Sequence, residues 1–385
     1  MFRSERLSPV AWRDLGWQAL CFGLAAAVML FMLHDVNSHL AARGVTSGFA
    51  FLSEPAKIPI SNAPVQFTPG IDTYGFALWV GALNTLKISV AVIIFATIIG
   101  TAVGIGSLSI NWLLAKLSVA YVEALRNVPV LLQILLWYQL INGLPGARQA
   151  WSPLPGIYLS NRGINFPLLE SNSAYGYVGA MLVLAIICAV FAWRFGARWR
   201  ETHGRRNLWV WLVMSVCAVA PVGVWLAAGA PHALDRPRMQ GFNFSGGGVL
   251  TPEYAALVIG LTLYASAFIA EIVGGGIRSV NMGQWEAAHA IGLRRWLTLS
   301  KIILPQALRP IIPAMTNEYL SILKNSSLAV AIGYQEIVSV GNTVLFETGQ
   351  AVAVIALTMG FYICVSLMVS FLMNSYHARL NRGHR

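Results

Sequence analysis

The chain has 385 residues, of which 57% are hydrophobic and only 11% charged, with a formal net charge of +11 and a mean hydropathy of +0.64. A water-soluble domain carries about 25% charged residues, so this composition excludes one. In lipid every backbone polar group must be satisfied internally, which leaves helices or a closed barrel, and apolar runs that continue for about 20 residues without alternating select helices.

In chain order the runs give eight spans, hence an all-α membrane protein of about eight transmembrane helices. The first extends from about Trp17 to Leu33. No small-residue cleavage site follows it and the flanking His34 and Asp35 are polar, so it reads as an anchor rather than a leader. The second covers Ala82 to Leu108. The third, Ala120 to Ile141, is weakest at its start, where Glu123, Arg126 and Pro129 interrupt it. Then come Tyr175 to Trp193, Leu208 to Ala228, Tyr254 to Gly275, Gln306 to Ala331 and Ala351 to Asn374. Cys21, Cys188, Cys217 and Cys364 all lie inside apolar runs without ligand spacing and read as small core residues. No metal spacing joins His203, His289 and His377 either, so no metal site is expected.

The positive charge does not point to nucleic acid, because the basic residues cluster at the ends of the apolar runs, where they orient a chain in the bilayer. Arg3, Arg6 and Arg13 precede the first span, Lys116 and Arg126 flank the second loop, and "RFGARWRETHGRR" carries five arginines. Arg278, Arg294, Arg295, Lys301 and Arg309 surround the sixth loop, and Arg379, Arg382 and Arg385 close the tail. Eight alternating spans place all of these on one side, the cytoplasm, together with both termini. The opposite loops, about 35–80, 142–174, 229–253 and 332–350, are richer in Pro, Gly and Asn, as in "SNAPVQFTPG".

One polar stretch separates two apolar runs: "EAAHAIGLRRWLTLSKIILP", residues 286–305. Glu286 to Ile291 reads as a short helix with its carboxylate in the first turn, at the positive end of the dipole. Gly292 can take the left-handed conformation that ends a helix. In the helix that follows, Leu293, Trp296, Leu297 and Ser300 share one face, with Arg294, Arg295, Thr298 and Lys301 opposite. Pro305 ends it or opens the next span. These residues alone fit either a rigid elbow that receives another protein or an amphipathic helix lying among lipid headgroups.

The spacing of Glu286, Ala287, Ala288, Gly292, Ile302, Leu304 and Pro305 resembles the signature loop of type I importer permeases of the ATP-binding cassette (ABC) transporters. The resemblance implies that this loop is the coupling helix, inserted into a groove of a separate ATPase subunit. "LNTLKIS" at 83–89, "EALRNVPVLLQILLWY" at 123–138, "AFIAEIVGGGIRSV" at 267–280 and "NEYLSILKNSSLAVAIG" at 317–333 are similar to successive parts of the polar amino-acid branch. The long layout is similar to the general L-amino-acid permeases of Gram-negative bacteria. It implies a permease core of five helices plus three extra spans. The expected domains are 1–81, an N-terminal segment with anchor and periplasmic loop; 82–375, the permease domain with inserted spans at about 143–253; and a cytoplasmic tail at 376–385.

No lysine follows a glycine in this chain, so it lacks the phosphate-cradling Gly-Lys-Ser/Thr loop and has no ATPase motif, catalytic residue or cofactor of its own. ATP is used by a partner. The resemblance implies an ATP-binding subunit dimer, a second permease subunit that is a homologue, and a periplasmic amino-acid-binding protein, all at the bacterial inner membrane. An ionisable group in mid-bilayer costs about 2.5–3.5 kcal/mol by insertion scales and therefore marks a cavity or a pair. Glu318 and Lys324, with Asn317 and Asn325 beside them, stand out on this ground. Six positions apart, Glu318 and Lys324 lie about 240° apart on a helix and cannot pair with each other. They either face a path for zwitterionic amino acids or hold an interface with the partner permease. Glu271 and Arg278, around the glycines at 274–276, read as structural, and Glu123 and Arg126 as a local pair. An ion-coupled secondary transporter would also explain buried charges, but it leaves the 286–305 loop without a role and no inverted repeat supports it. No constellation of nucleophile and base supports an enzyme.

Overall fold

A computed structural model describes residues 48–61, 63–170, 172–203, 208–230 and 233–382, together with Gly23, Leu24, Ala27 and Phe31. The expected first span otherwise lies outside the described residues, as do most arginines of the termini. The helices are α1 (Tyr74–Gly106), α2 (Trp112–Arg126), α3 (Val130–Asn142), α4 (Ser173–His203), α5 (Leu208–Ala227) and α6 (Pro252–Arg278). They continue as α7 (Met282–Ala290), α8 (Arg295–Thr298), α9 (Leu304–Asn325), α10 (Ile337–Thr348) and α11 (Ala351–Arg382). The chain divides into two compact units, residues 1–138 with 256–385, and residues 139–255.

Among the described residues five helices are long and apolar enough to cross a membrane, or up to seven spans if each of two bent pairs counts as one. They fall where the second to eighth spans are expected. The expected count of eight is not reached within the described residues.

In the first unit, Thr73 opens α1 by accepting the Phe76 N–H. Ile88, Val92 and Ala96 on α1 are fully buried. Gly100 and Gly104 bring α1 against α6: a Cβ on Gly100 would sit 2.7 Å from the Ser266 carbonyl, and one on Gly104 2.7 Å from the Ala270 carbonyl. Small residues four apart are the usual means of close approach where lipid supplies no hydrophobic drive between helices.

The third expected span is the pair α2 and α3, bent by 98°. Pro129 at the break has no N–H and disfavours helix in the residue before it. The carbonyls left over at the bend are taken by one side chain, as Gln133 Nε2 donates to Leu125 O at 2.8 Å and to Val128 O at 3.1 Å.

The second bent pair is the helical rod 295–332 followed by α10, which diverge by 53°. Glu336 fills that break and is fully buried. Its Oε1 accepts the Ser339 N–H at 2.9 Å, and its Oε2 accepts the Tyr362 hydroxyl of α11 at 3.3 Å. Thr85 of α1 lies 3.4 Å from the same carboxylate and accepts the Ile337 N–H at 3.1 Å. Next to it Asn84 donates to Gln335 O at 2.9 Å, and Gln335 donates to Pro59 O at 2.7 Å. One carboxylate thus joins α1, α10 and α11.

The second unit holds α4 and α5, packed as a hairpin, and a set of short strands. These are β1 (Trp151–Leu154), β2 (Ile157–Ser160), β3 (Gly163–Phe166), β4 (Leu168–Leu169), β5 (Leu234–Asp235), β6 (Arg238–Gln240), β7 (Asn243–Ser245) and β8 (Gly248–Leu250). They pair antiparallel as a four-stranded sheet in the order β1-β2-β3-β8 and as the ribbons β4-β5 and β6-β7. The expectation of an all-α protein is therefore corrected to a mostly helical one. The strand signals are runs such as "GIYLS" and "GINF", each only four or so residues long and punctuated by glycines with positive φ at Gly156, Gly163 and Gly241. Beside spans several times longer they read as loop.

Glu336→Ala should leave the Ser339 N–H and the Tyr362 hydroxyl short of an acceptor, at about 1–3 kcal/mol per buried group. Thermal unfolding of the purified chain, followed by size exclusion, should show a clear drop in midpoint. Glu336→Gln, which keeps an acceptor oxygen, should fall less.

Candidate functional site

Two groups of side chains interrupt the apolar background: the polar elbow between α6 and α9, and the ionisable residues on α2, α6 and α9.

The elbow starts with α7. Asn281 caps it, its side chain accepting the Gly283 N–H at 2.8 Å. The helix therefore begins a turn before Glu286, which sits in mid-helix and not in the first turn as expected. Asn281 is the signal that corrects this, since Asn is among the residues best suited to cap a helix start. The end is where the sequence places it. Gly292 has φ +71°, and the Gly292 and Leu293 N–H groups donate to His289 O at 2.9 Å and Ala288 O at 3.1 Å. Glu286 and Ala287 are exposed, whereas Ala288 is buried against the bundle.

Beyond the glycine the two expected faces are only partly kept: Arg294, Arg295 and Lys301 are exposed and Leu293 and Ser300 half-buried, but Thr298 and Trp296 depart from the pattern. Thr298 is fully buried, its hydroxyl donating to Arg294 O at 3.3 Å, while Trp296 is 72% exposed. The cause is a π-turn at Leu299–Ile303, in which the Leu304 N–H bonds to Leu299 O. One extra residue in a turn rotates everything before it by about 100°. Pro305, in the first turn of α9, has no N–H to continue the regular ladder. Ile302 and Leu304 are half-buried around this turn and Pro305 is exposed. Two side chains brace the elbow. Gln306 Nε2 donates to Gln284 Oε1 at 3.3 Å, tying α9 to α7, and Arg295 Nη2 donates to Leu108 O at 3.1 Å, tying α8 to the α1–α2 turn.

On α9, Asn317 and Lys324 are exposed, and Glu318 and Asn325 are half-buried. Neither Glu318 nor Lys324 makes an ion pair among the described residues, in keeping with their angular separation. Tyr319 between them meets Thr97 of α1, the two hydroxyls 3.0 Å apart. Arg126 does not pair with Glu123 as expected; it forms an ion pair with Glu271 of α6. Its guanidinium lies 4.9 Å from the Phe268 ring, which packs 4.8 Å from Tyr264. The fold thus brings groups of both signs together from α2 and α6. Tyr264, Phe268 and Glu271 share one helix face at i, i+4 and i+7, which is the pattern that could have marked them. Of the three glycines at 274–276, Gly276 is the one pressed against Ile311 of α9, and nothing approaches Gly275.

Residues 181–383 match the family described as binding-protein-dependent transport system inner membrane component. The chain is 43% identical over 367 residues to the putative amino-acid ABC transporter permease protein YhdX of Escherichia coli (strain K12), covering 94% of this chain and 93% of that one. It is 38% identical over 380 residues to the general L-amino acid transport system permease protein AapQ of Rhizobium johnstonii, covering 98% and 94%. Among solved structures, the crystal structure of an amino acid ABC transporter with histidines aligns at a TM-score of 0.48 with 18% identity, over 80% of this chain and 95% of that chain.

Nothing lies within 4 Å of where a Cβ on Gly292 would stand, so a substitution there costs backbone strain alone. Gly292→Ala should destabilise the elbow by about 1–2 kcal/mol, and Gly292→Asn by less. Protease sensitivity between residues 286 and 300 is the measurement.

Proposed function

Because the chain belongs to the family of binding-protein-dependent transport system inner membrane components, we propose that it is the membrane-spanning permease subunit of an ATP-driven importer of L-amino acids. It is a multi-pass membrane protein whose relatives are amino-acid permeases. The observation that carries the mechanism is the braced elbow, a short helix fixed to two spans by Gly292, the π-turn and the Gln284–Gln306 bond.

In this reading an ATP-binding subunit dimer grips α7, and the signature residues divide the work. Glu286 and Ala287 present the exposed surface to the ATPase, and Ala288 seats the helix on the bundle. Gly292 sets the turn, and Ile302, Leu304 and Pro305 carry the displacement into α9. Rigidity matters because a lever that bends dissipates the stroke before it reaches the span. ATP is spent by the partner subunit, and this chain holds none of the chemistry.

The polar band of α9, Asn317, Glu318, Lys324 and Asn325, faces the translocation path. An amino acid offers an ammonium and a carboxylate, and the band offers groups of both signs in Glu318 and Lys324. Substrate arrives on a periplasmic binding protein, and a second, homologous permease subunit completes the pore. The chain crosses the inner membrane eight times with both termini in the cytoplasm. Its permease domain at 82–375 has a five-helix core, with inserted spans at 143–253 and a tail at 376–385.

Reconstituted in proteoliposomes with its ATPase, partner permease and binding protein, the chain should support ATP-dependent amino-acid uptake, and alone it should support none. Replacing Glu286 and Gly292 together should abolish uptake, and if both assembly and uptake survive, the coupling assignment is wrong. A hydrogen bond to a charged group contributes about 1.5–3 kcal/mol. Glu318→Gln and Lys324→Met should therefore each raise the uptake KM about 10-fold or more. Unchanged KM and substrate preference would return these residues to an interface role.

A further inference from the structure

A groove of about 1150 Å³ lies behind the elbow, between the end of α1, the start of α2, the end of α6 and the inner face of α7. Its floor is apolar, with Ile105, Ile110 and Leu114 among the lining residues. Its cations are Arg278 and Arg295, and Glu286 is the one carboxylate among the lining residues, which also include His289. The Arg278 side chain is exposed, and its guanidinium has no hydrogen-bond or ion-pair partner among the described residues. Arg295 spends one nitrogen on Leu108 O, which leaves most of its donors free.

Which face of α7 looks into the groove matters. Met282, Trp285, Glu286 and His289 line it, at i, i+3, i+4 and i+7, a single face of the helix. Ala287 and Ile291 lie on the far side and are exposed, Ile291 at 73%. The groove is therefore turned away from the Ala287 side of the surface offered to an ATPase, and Glu286 lies at the edge where the two meet.

One tryptophan lines it, and two more lie close in sequence to its lining residues. Trp285 lines it, Trp296 beside Arg295 is 72% exposed, and Trp112 at the start of α2 is 70% exposed with the Lys116 Nζ 5.1 Å from its ring. Exposed tryptophan beside lysine and arginine, at the ends of long apolar helices, is the composition of the headgroup layer. An apolar floor with unpaired guanidiniums at its edge is complementary to an amphiphile with an anionic head, and basic pockets between helices at this depth bind acidic lipids.

We propose that this groove seats an acidic phospholipid of the leaflet that faces the elbow, with its phosphate taken by Arg278 and Arg295 and an acyl chain covering Ile105, Ile110 and Leu114. The lipid fills the space behind the lever and stiffens its seat on the bundle. The occupancy stands on the groove alone; only its effect on transport rests on the importer reading.

The test exchanges the full complex into phosphatidylcholine nanodiscs in which a fifth of the lipid is phosphatidylglycerol, then counts retained lipids by mass spectrometry after mild extraction. Phosphatidylglycerol should be enriched on the wild-type complex. Arg278→Gln and Arg295→Gln should each reduce that enrichment about fivefold, the ~1 kcal/mol that one basic side chain contributes near an acidic surface, and Arg278→Lys should retain most of it. A photoactivatable phosphatidylglycerol should label the wild-type chain within 105–114 or 277–299, which needs no variant to fold. Labelling confined to other segments, or enrichment that both glutamine variants leave intact, overturns the proposal. So does loss of the ATPase subunit from the glutamine variants with lipid retention unchanged, which would make the groove a protein seat. Uptake by the wild-type complex is scored separately, so failure of lipid binding and failure of the importer reading are distinguishable.

Discussion

A helix that breaks inside a bilayer must find new partners for the backbone groups it releases, because the surrounding lipid offers none. This chain breaks where it spans and meets that demand each time with a side chain from the next turn or the neighbouring helix. Gln133 takes two carbonyls at the 98° bend between α2 and α3. Glu336, fully buried, takes the N–H groups and hydroxyls at the bend between α9 and α10. At Pro305 the backbone itself adapts by a π-turn. These partners stabilise the bends, and Arg126 at the end of α2 meets Glu271 of α6 close to the first of them.

The same constraint explains the stiffness of the elbow. Each of its joints is held by a specific bond: the Asn281 cap, the Gly292 turn, the Gln284–Gln306 contact and the Arg295 bond to the α1–α2 turn. The elbow is thereby bonded to α9 through the Gln284–Gln306 contact and to the α1–α2 turn through Arg295. At Gly276 the α6 backbone presses on Ile311, so α6 and α9 cannot slide freely past one another. The elbow and the spans around it are thus tied together at several points.

The second unit obeys a different rule. Its two helices pack against each other as a hairpin and leave most of their apolar surface exposed among the described residues. Its strands satisfy their own backbone through pairing and need no bilayer. The aromatic stack of Tyr158 on Phe244, 4.7 Å apart, and the Arg148 guanidinium over Phe242 give that layer its local cohesion.

Much of this was legible in the chain. Span positions follow from the length of apolar runs, because the bilayer thickness alone sets that length. The elbow's end at Gly292 follows from the one residue type that tolerates a positive φ at no cost. The family resemblance rests on spacing, which a sequence displays directly. Partner choice is different. That Arg126 pairs with Glu271 and not Glu123, that Thr298 is buried while Trp296 is exposed, and that Glu336 joins three helices all depend on the angles at which helices cross and on one inserted residue in a turn. Those angles are set by contacts between residues distant in the chain, such as Gly100 and Gly104 against α6. Periodicity along a single helix carries no record of them, so only the tertiary structure could decide which polar groups meet.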